Sequence, residues 1–197
     1  MAIIVEHEKR RHEILDKALE VFVDEGYEDA TFQKIADKCG ITRTTLYIYF
    51  KNKKEIFLWS IKQLTEKLEK NILKLMEDRD KSCKERLLDM LYLIIDECAA
   101  NKALFEVILS YLIQISKTGK DPNSRVKRRT IRMRHLISQL LIEGEDKGEF
   151  KKLNLKTAND MLYSYVESAI FRLAVLGSGD VSDIKKVAEL SVDSFLK

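Results

Sequence analysis

Between Lys38 and Lys54 the chain carries five basic residues and no acidic one. Within this window Thr42, Arg43, Thr44, Tyr47, Lys51, Lys53 and Lys54 crowd hydroxyl, guanidinium and ammonium donors onto one short segment. The set holds no general base, no nucleophile beside an activating partner and no metal-ligand spacing. Its chemistry is recognition, with cationic donors for anionic oxygens and an arginine fork and threonine side chains for hydrogen-bonding edges. An ordinary amphipathic helix would mix both signs of charge over the same length.

The flanking residues say which elements must present these donors. Ile14, Leu15, Ala18, Leu19, Phe22 and Val23 form a helical stripe that Gly26 stops. Thr31 caps a short helix with Phe32, Ile35, Ala36 and Cys39 on its inner face, and Gly40 ends it. Thr42 caps a third helix reaching Tyr47 or Ile48, with Ile41 and Leu46 turned to the core. Asn52 and Glu55 read as a capping box opening a long helix whose apolar positions, Ile56, Phe57, Ile61, Leu64, Leu68, Ile72 and Leu75, continue to about Asp78. The short helices share one small core, and the long one leads out of it.

A short helix, a glycine turn and a second short helix with a polar or basic outer face make a helix-turn-helix. Its second helix enters a DNA major groove about 12 Å wide by presenting residues near its N-terminus. Arg43 and Thr44 are the candidates for reading base edges, because arginine pairs bidentately with guanine and threonine touches thymine or another base edge. Lys53, in the first turn of the next helix, is placed to meet a phosphate. Thr31, Gln33, Lys34, Thr42, Tyr47, Lys51 and Lys54 are the further DNA-contact candidates.

The whole chain is compatible with this. It has 197 residues, one proline, seven glycines and 34% charged residues, the composition of an all-α protein with a real core. The formal net charge of +3 is too small to indicate nucleic acid by itself, and the local window matters more. Cys39, Cys83 and Cys98 are odd in number and widely spaced, which points to a reducing cytoplasm rather than to disulfides or zinc. His7, His12 and His135 are scattered, and no nucleophile set, phosphate loop or nucleotide fingerprint occurs, so neither enzyme activity, nor a metal, nor a cofactor is expected. No apolar run approaches the length of a membrane span or a signal peptide.

Beyond Asp80 the texture changes to long helices. Ser82 with Glu85 opens one that runs to about Ala100, and others follow at roughly 102–117, 123–147, 155–176 and 182–196, about nine helices in all. The expected organisation is a helix-turn-helix domain over 1–52, a connecting helix over 53–80 and a helical bundle over 81–197. A second basic run, Arg125 to Arg134, reads either as a solvated face, as a partner for the acidic first helix, or as a contact for an anionic ligand.

The pattern Ile14-Leu15, Ala18, Phe22, Gly26-Tyr27, Thr31, Ile35-Ala36, Gly40-Ile41-Thr42, Thr45-Leu46-Tyr47, Tyr49-Phe50 and Lys53 resembles the N-terminal domain of TetR-family transcriptional regulators. The resemblance implies a homodimer that binds a double-stranded palindromic DNA operator, usually as a repressor, and releases it when a small-molecule effector enters the C-terminal domain. It also turns the Tyr47 hydroxyl toward phosphates and makes the last two helices an intersubunit four-helix bundle, with Ala158, Leu162, Tyr165, Ala169, Phe171, Leu173, Val187, Leu190 and Phe195 as interface candidates. An effector cavity would be marked by polar and aromatic residues on apolar stretches, namely Tyr92, Phe105, Tyr111, Gln114, His135, Ser138, Tyr163 and Glu167. That mixture suits a largely hydrophobic molecule with one or two polar handles. Two residues depart from the family pattern: Thr44 stands where glycine or alanine is frequent, and Ile48 where an aromatic or histidine often touches the backbone. The competing reading is an all-α binding or interaction protein that keeps the fold without an operator.

Overall fold

The computed structural model describes the backbone of residues 2–117 and 123–197 and the side chains of 5–117 and 130–197. Among the described residues there are nine helices: α1 (Ala2–Asp29), α2 (Phe32–Cys39), α3 (Arg43–Tyr49), α4 (Lys53–Glu77), α5 (Cys83–Ala100), α6 (Lys102–Lys117), α7 (Asn123–Asp146), α8 (Leu155–Ala174) and α9 (Ser182–Asp193). The expected all-α class is therefore observed. The chain divides into two compact units, Met1–Glu69 and Lys70–Lys197, and α4 belongs to both.

In the first unit α1 begins at Ala2, well before the apolar periodicity that starts at Ile14. Residues 6–13 are all polar or charged, and ring contacts hold this stretch instead. The Arg11 guanidinium lies 4.2 Å above the Trp59 ring and 5.2 Å above Phe50, and His7 stacks on Tyr49 at 4.6 Å. Gly26 breaks α1 as expected, at φ 79° and ψ 168°, a conformation that strains any residue with a Cβ, but one further turn follows to Asp29. Ile14, Leu15, Ala18, Phe22, Ile35, Ala36, Leu46, Phe50, Ile56 and Phe57 are all buried in one core. The Phe57 ring sits 4.9 Å from both Phe22 and Tyr27.

In the second unit α5 packs against α6, α7, α8 and α9, because Leu87, Met90, Leu91, Ile94, Ile95 and Cys98 are buried around more than one face of it. Burying each of the larger of these side chains stabilises the fold by about 1.5–3 kcal/mol. The capping box is present: Ser82 accepts from the Glu85 amide, and the Glu85 carboxylate accepts from the Ser82 amide. α8 and α9 stop earlier than the periodicity suggested. The Leu176 and Ser178 amides turn back to the Phe171 and Arg172 carbonyls, and Phe195 leaves α9 so that its carbonyl accepts from Lys151 at 2.8 Å.

The unit also contains a charge the hydrophobic pattern does not announce. Arg86 is fully buried. Its guanidinium donates to both Glu143 oxygens at 2.8 and 3.1 Å and to the Met76 carbonyl at 2.8 Å. Arg79 at 2.5 Å and Lys147 at 2.9 Å complete the cationic ring around Glu143. The Arg86 hydrogen bonds hold the Glu143 carboxyl down to about 2, against an ordinary 4.5. The next residue, Gly144, could not be larger, since a Cβ there would lie 2.1 Å from the Phe150 ring.

No single helix among the described residues is long and apolar enough to cross a membrane. Because the folded Glu143 has the lower pKa, its contribution to stability is complete above about pH 4.5 and is lost as the pH falls toward 2. Glu143→Gln leaves a buried cation short of its counter-charge, so it is expected to cost about 3 kcal/mol at neutral pH and to flatten this acid limb. Urea denaturation followed by circular dichroism across that pH range measures both effects.

Candidate nucleic-acid interface

Each helix of the recognition segment is held by its caps. The Thr31 Oγ1 accepts from the Lys34 amide at 3.1 Å and starts α2. Gly40 ends it in the left-handed conformation at φ 67°, where its amide reaches the Asp37 carbonyl and the Ile41 amide the Ala36 carbonyl, both at 3.0 Å. Thr42 then starts α3 by accepting from the Thr45 amide at 3.1 Å. The Glu55 amide donates to Asn52 Oδ1 at 2.9 Å, while the Glu55 carboxylate takes the Lys51 amide at 2.7 Å, a capping box displaced by one residue.

Capping and burial together decide what α3 shows to water. Leu46 is buried and Phe50, just beyond the helix, is 1% exposed, which leaves Arg43, Thr44, Tyr47 and Ile48 on the outer face. Tyr47 stacks on Phe32 at 4.5 Å with its hydroxyl outward, and Arg43 Nη2 donates to that hydroxyl at 3.2 Å. The ring thus carries the guanidinium, which also lies 5.7 Å from the ring centroid. The base-reading candidate and the phosphate candidate are one coupled pair.

The other expected contacts divide in two. Lys51 and Lys54 are exposed with Thr42 and Thr44. Gln33 and Lys34 are exposed too, but their side chains donate to Asp37 at 2.7 Å and Glu25 at 2.6 Å. The Lys53 ammonium does not stand out into solvent: it donates to the Tyr27 and Glu28 carbonyls at 2.7 and 2.8 Å and lies 4.6 Å from the Tyr27 ring. It closes the last turn of α1, where the open carbonyls of a helix end attract a cation. Local spacing gave no sign of this contact, because the partners are more than twenty residues away. Sequence reading also missed a groove of about 540 Å³ beside Tyr49, lined by Glu6, His7, Lys9, Arg10 and Glu13. It carries both signs of charge, and only the helical extension of α1 creates it.

In the C-terminal unit the expected effector residues do not converge. Gln114, His135 and Glu167 are exposed, Tyr111 is buried, and Phe105 is half-buried on α6. Tyr92 lies under Lys185 of α9. Ser138 alone of the set lines a cleft of about 240 Å³, with Arg134, Leu155, Lys156 and Asn159. Tyr163 donates to Thr130 at 3.2 Å and supports the Arg134 guanidinium, which is paired with Asp160. Of the basic run, residues 125–129 lie outside the described side chains, and Arg134 is engaged within its own unit.

The interface candidates divide between core and surface. Ala158, Leu162, Ala169 and Leu173 on α8 are buried within their own chain, where α8 packs against α5, α6, α7 and α9, and Phe195, beyond the end of α9, is buried with its ring 6.2 Å from that of Phe150. Phe171, Val187 and Leu190 are exposed, as are Val175 and Leu176, while Tyr165 is half-buried with its hydroxyl on Ser191. All three thiols are buried, and burial pushes the Cys83 pKa up to about 11 and that of Cys98 to about 12, far from a reactive thiolate. Among the described residues no cluster of three or more histidine, cysteine or acidic side chains could hold a metal ion.

Residues 14–58, which carry this face, match the family described as bacterial regulatory proteins, tetR family. The chain is 26% identical over 161 residues to the fatty acid metabolism regulator protein of Bacillus subtilis (strain 168), covering 80% of each. A solved TetR transcription regulator from Haloarcula marismortui ATCC 43049 has a TM-score of 0.85 at 19% identity over 96% of this chain and 100% of that one. The transcriptional regulator FadR from Bacillus subtilis in complex with stearoyl-CoA has a TM-score of 0.70 at 23% identity, over 94% and 98%. These structural likenesses establish the fold.

Lys53→Ala removes two charge-assisted hydrogen bonds and a cation–π contact from the N-terminal unit. It is expected to destabilise that unit by about 1–2 kcal/mol in the absence of any DNA, read as a lower urea midpoint of Trp59 fluorescence. An unchanged midpoint would mean that the ammonium is not held on these carbonyls.

Proposed function

We propose that the chain is a TetR-family transcriptional regulator, a homodimeric repressor of a palindromic operator that is released by a small, largely hydrophobic effector, a reading supported by the family match over residues 14–58. The observation that carries the operator reading is the outer face of α3. Arg43, Thr44 and Tyr47 stand in water on a helix whose inner side is sunk in the core, and the ring of Tyr47 orders the guanidinium before any base is met. A preordered fork loses less freedom on pairing with guanine than a free arginine would. Lys51, Lys54 and Thr42 surround it as backbone contacts, and the N-terminal amides of α4 contribute where the Lys53 ammonium is otherwise engaged.

One such helix reads only a few base pairs, so affinity calls for a second copy about 34–36 Å away on the same side of the duplex. The apolar strip of Phe171, Val175, Leu176, Val187 and Leu190 is our choice of dimer face, since α8 and α9 leave it uncovered in one chain. Residues 81–197 hold both this face and the effector site. The relatives that regulate fatty acid metabolism, one of them solved with stearoyl-CoA, make a long-chain acyl thioester the first effector to test. An effector that prefers the conformation with wrongly spaced recognition helices lowers operator affinity by the same coupling energy, about 1–3 kcal/mol. The helix common to both units, α4, is the natural lever. Three buried free thiols suit the cytoplasm, where the operator would be.

Fluorescence anisotropy against a palindromic site selected from random DNA tests the whole reading. Arg43→Ala is expected to relax preference at one base pair and cost about 1–3 kcal/mol there, while Lys54→Ala weakens all sequences alike and lowers the salt slope by about one. A long-chain acyl-CoA should release the DNA and free coenzyme A should not. Selection of no sequence above random DNA would refute operator binding, and indifference to acyl chains would refute only this effector class. Leu190→Glu is expected to turn a dimer into monomers in analytical ultracentrifugation, and a dimer that persists would place the interface elsewhere.

A further inference from the structure

The outer face of α3 carries two stripes. Arg43 and Tyr47 form a polar one, and Thr44 and Ile48, also four residues apart, form a second beside it. Ile48 keeps 69% of its surface in water, whereas Leu46, two positions earlier and on the opposite side of the helix, keeps none. The core has therefore taken its share of α3, and Ile48 is left out by the direction of the helix.

A single exposed isoleucine is commonplace on a protein surface. This one shares the exposed face of α3 with Arg43, Thr44 and Tyr47, and the exposed Lys51 and Lys54 lie shortly beyond it. The 5-methyl of thymine is the apolar group that the major groove offers. A side chain branched at Cβ has few rotamers, so docking it costs little entropy, and Ile48 is rigid in the way a methyl-reading residue needs to be. Its position in the second turn, about 7.5 Å along the axis from Arg43, is within the span over which recognition helices touch bases.

We propose that Ile48, with the Thr44 methyl, reads a thymine in each half-site by apolar contact with its 5-methyl group, next to the base pair that Arg43 addresses. This rests on the operator-binding reading and adds a specificity determinant of a different chemistry. The stripes face neighbouring positions, so the half-site contains a guanine contacted by the fork and a thymine contacted by the methyl stripe. An aromatic or histidine in place of Ile48 would offer a hydrogen bond or a ring, and isoleucine exchanges these for methyl recognition.

The test removes the methyl and nothing else. In the selected operator each thymine of one half-site is replaced in turn by deoxyuridine, and binding is measured for the wild type, Ile48→Ala and Ile48→Val. One replacement is expected to weaken the wild type about three- to fivefold, the equivalent of about one buried methyl group. At that position Ile48→Ala should weaken the thymine operator by a similar factor and lose nothing further with uracil, with Ile48→Val between the two. The proposal is overturned if uracil is harmless at every position, or if the losses from Ile48→Ala and uracil multiply independently. A selected operator insensitive to methyl removal sinks this inference alone, whereas the absence of any selected operator sinks the operator reading beneath it.

Discussion

A guanidinium without access to water sits where three helix ends of the C-terminal unit meet. Arg86 enters from the first turn of α5, takes the Met76 carbonyl in the last turn of α4, and pairs with Glu143 near the end of α7. Removing such a charge from water is expensive, and only a fork met by a carboxylate and a carbonyl compensates for it. Its geometry therefore ties the three ends into one arrangement. Glu149 adds to it, because its carboxylate accepts from the Cys83 amide at 2.7 Å and stabilises the start of α5 from outside that helix. Since α5 is the helix that α6, α7, α8 and α9 all pack against, its placement decides the rest of the unit.

The N-terminal unit meets a different constraint, which is shortness. α2 has 8 residues and α3 has 7, too few to be stable alone. Threonine caps at both starts, the left-handed Gly40 between them and a core shared with α1 and α4 supply what length does not. The outcome is a rigid α3 whose inward residues are fully committed, and its outward residues are correspondingly well positioned. The Lys53 ammonium belongs to the same economy, closing α1 with a side chain from the start of α4.

The two units differ in what their surfaces reveal. The recognition face stands out because donors and exposed side chains coincide on one helix. In the C-terminal unit the polar and aromatic residues are dispersed among core, cleft and surface, and the large apolar side chains Phe171 of α8 and Val187 and Leu190 of α9 are exposed. Polarity on an apolar helix marks a cavity only where neighbouring helices leave room beside it. Here several of those residues have contacts of their own, Tyr163 on Thr130 and Ser138 under the Asn159 amide.

Local chemistry determined much of this protein. The caps at Thr31, Thr42 and Ser82, the breaks at Gly26 and Gly40, the order of the described helices and the donor-rich α3 were all legible, because each depends on residues within about one helical turn of one another. The early turns of α1 were not, since their anchors are the rings of Tyr49, Phe50 and Trp59 rather than a periodic stripe. Tertiary structure alone decided the inward turn of Lys53, the burial of Arg86 against Glu143, and the division of α8 between core and surface. Ala169 and Phe171 look equally apolar along the chain, but one is buried and the other is 53% exposed. Sequence states how apolar a residue is, and only the packing of distant helices states whether a neighbour covers it.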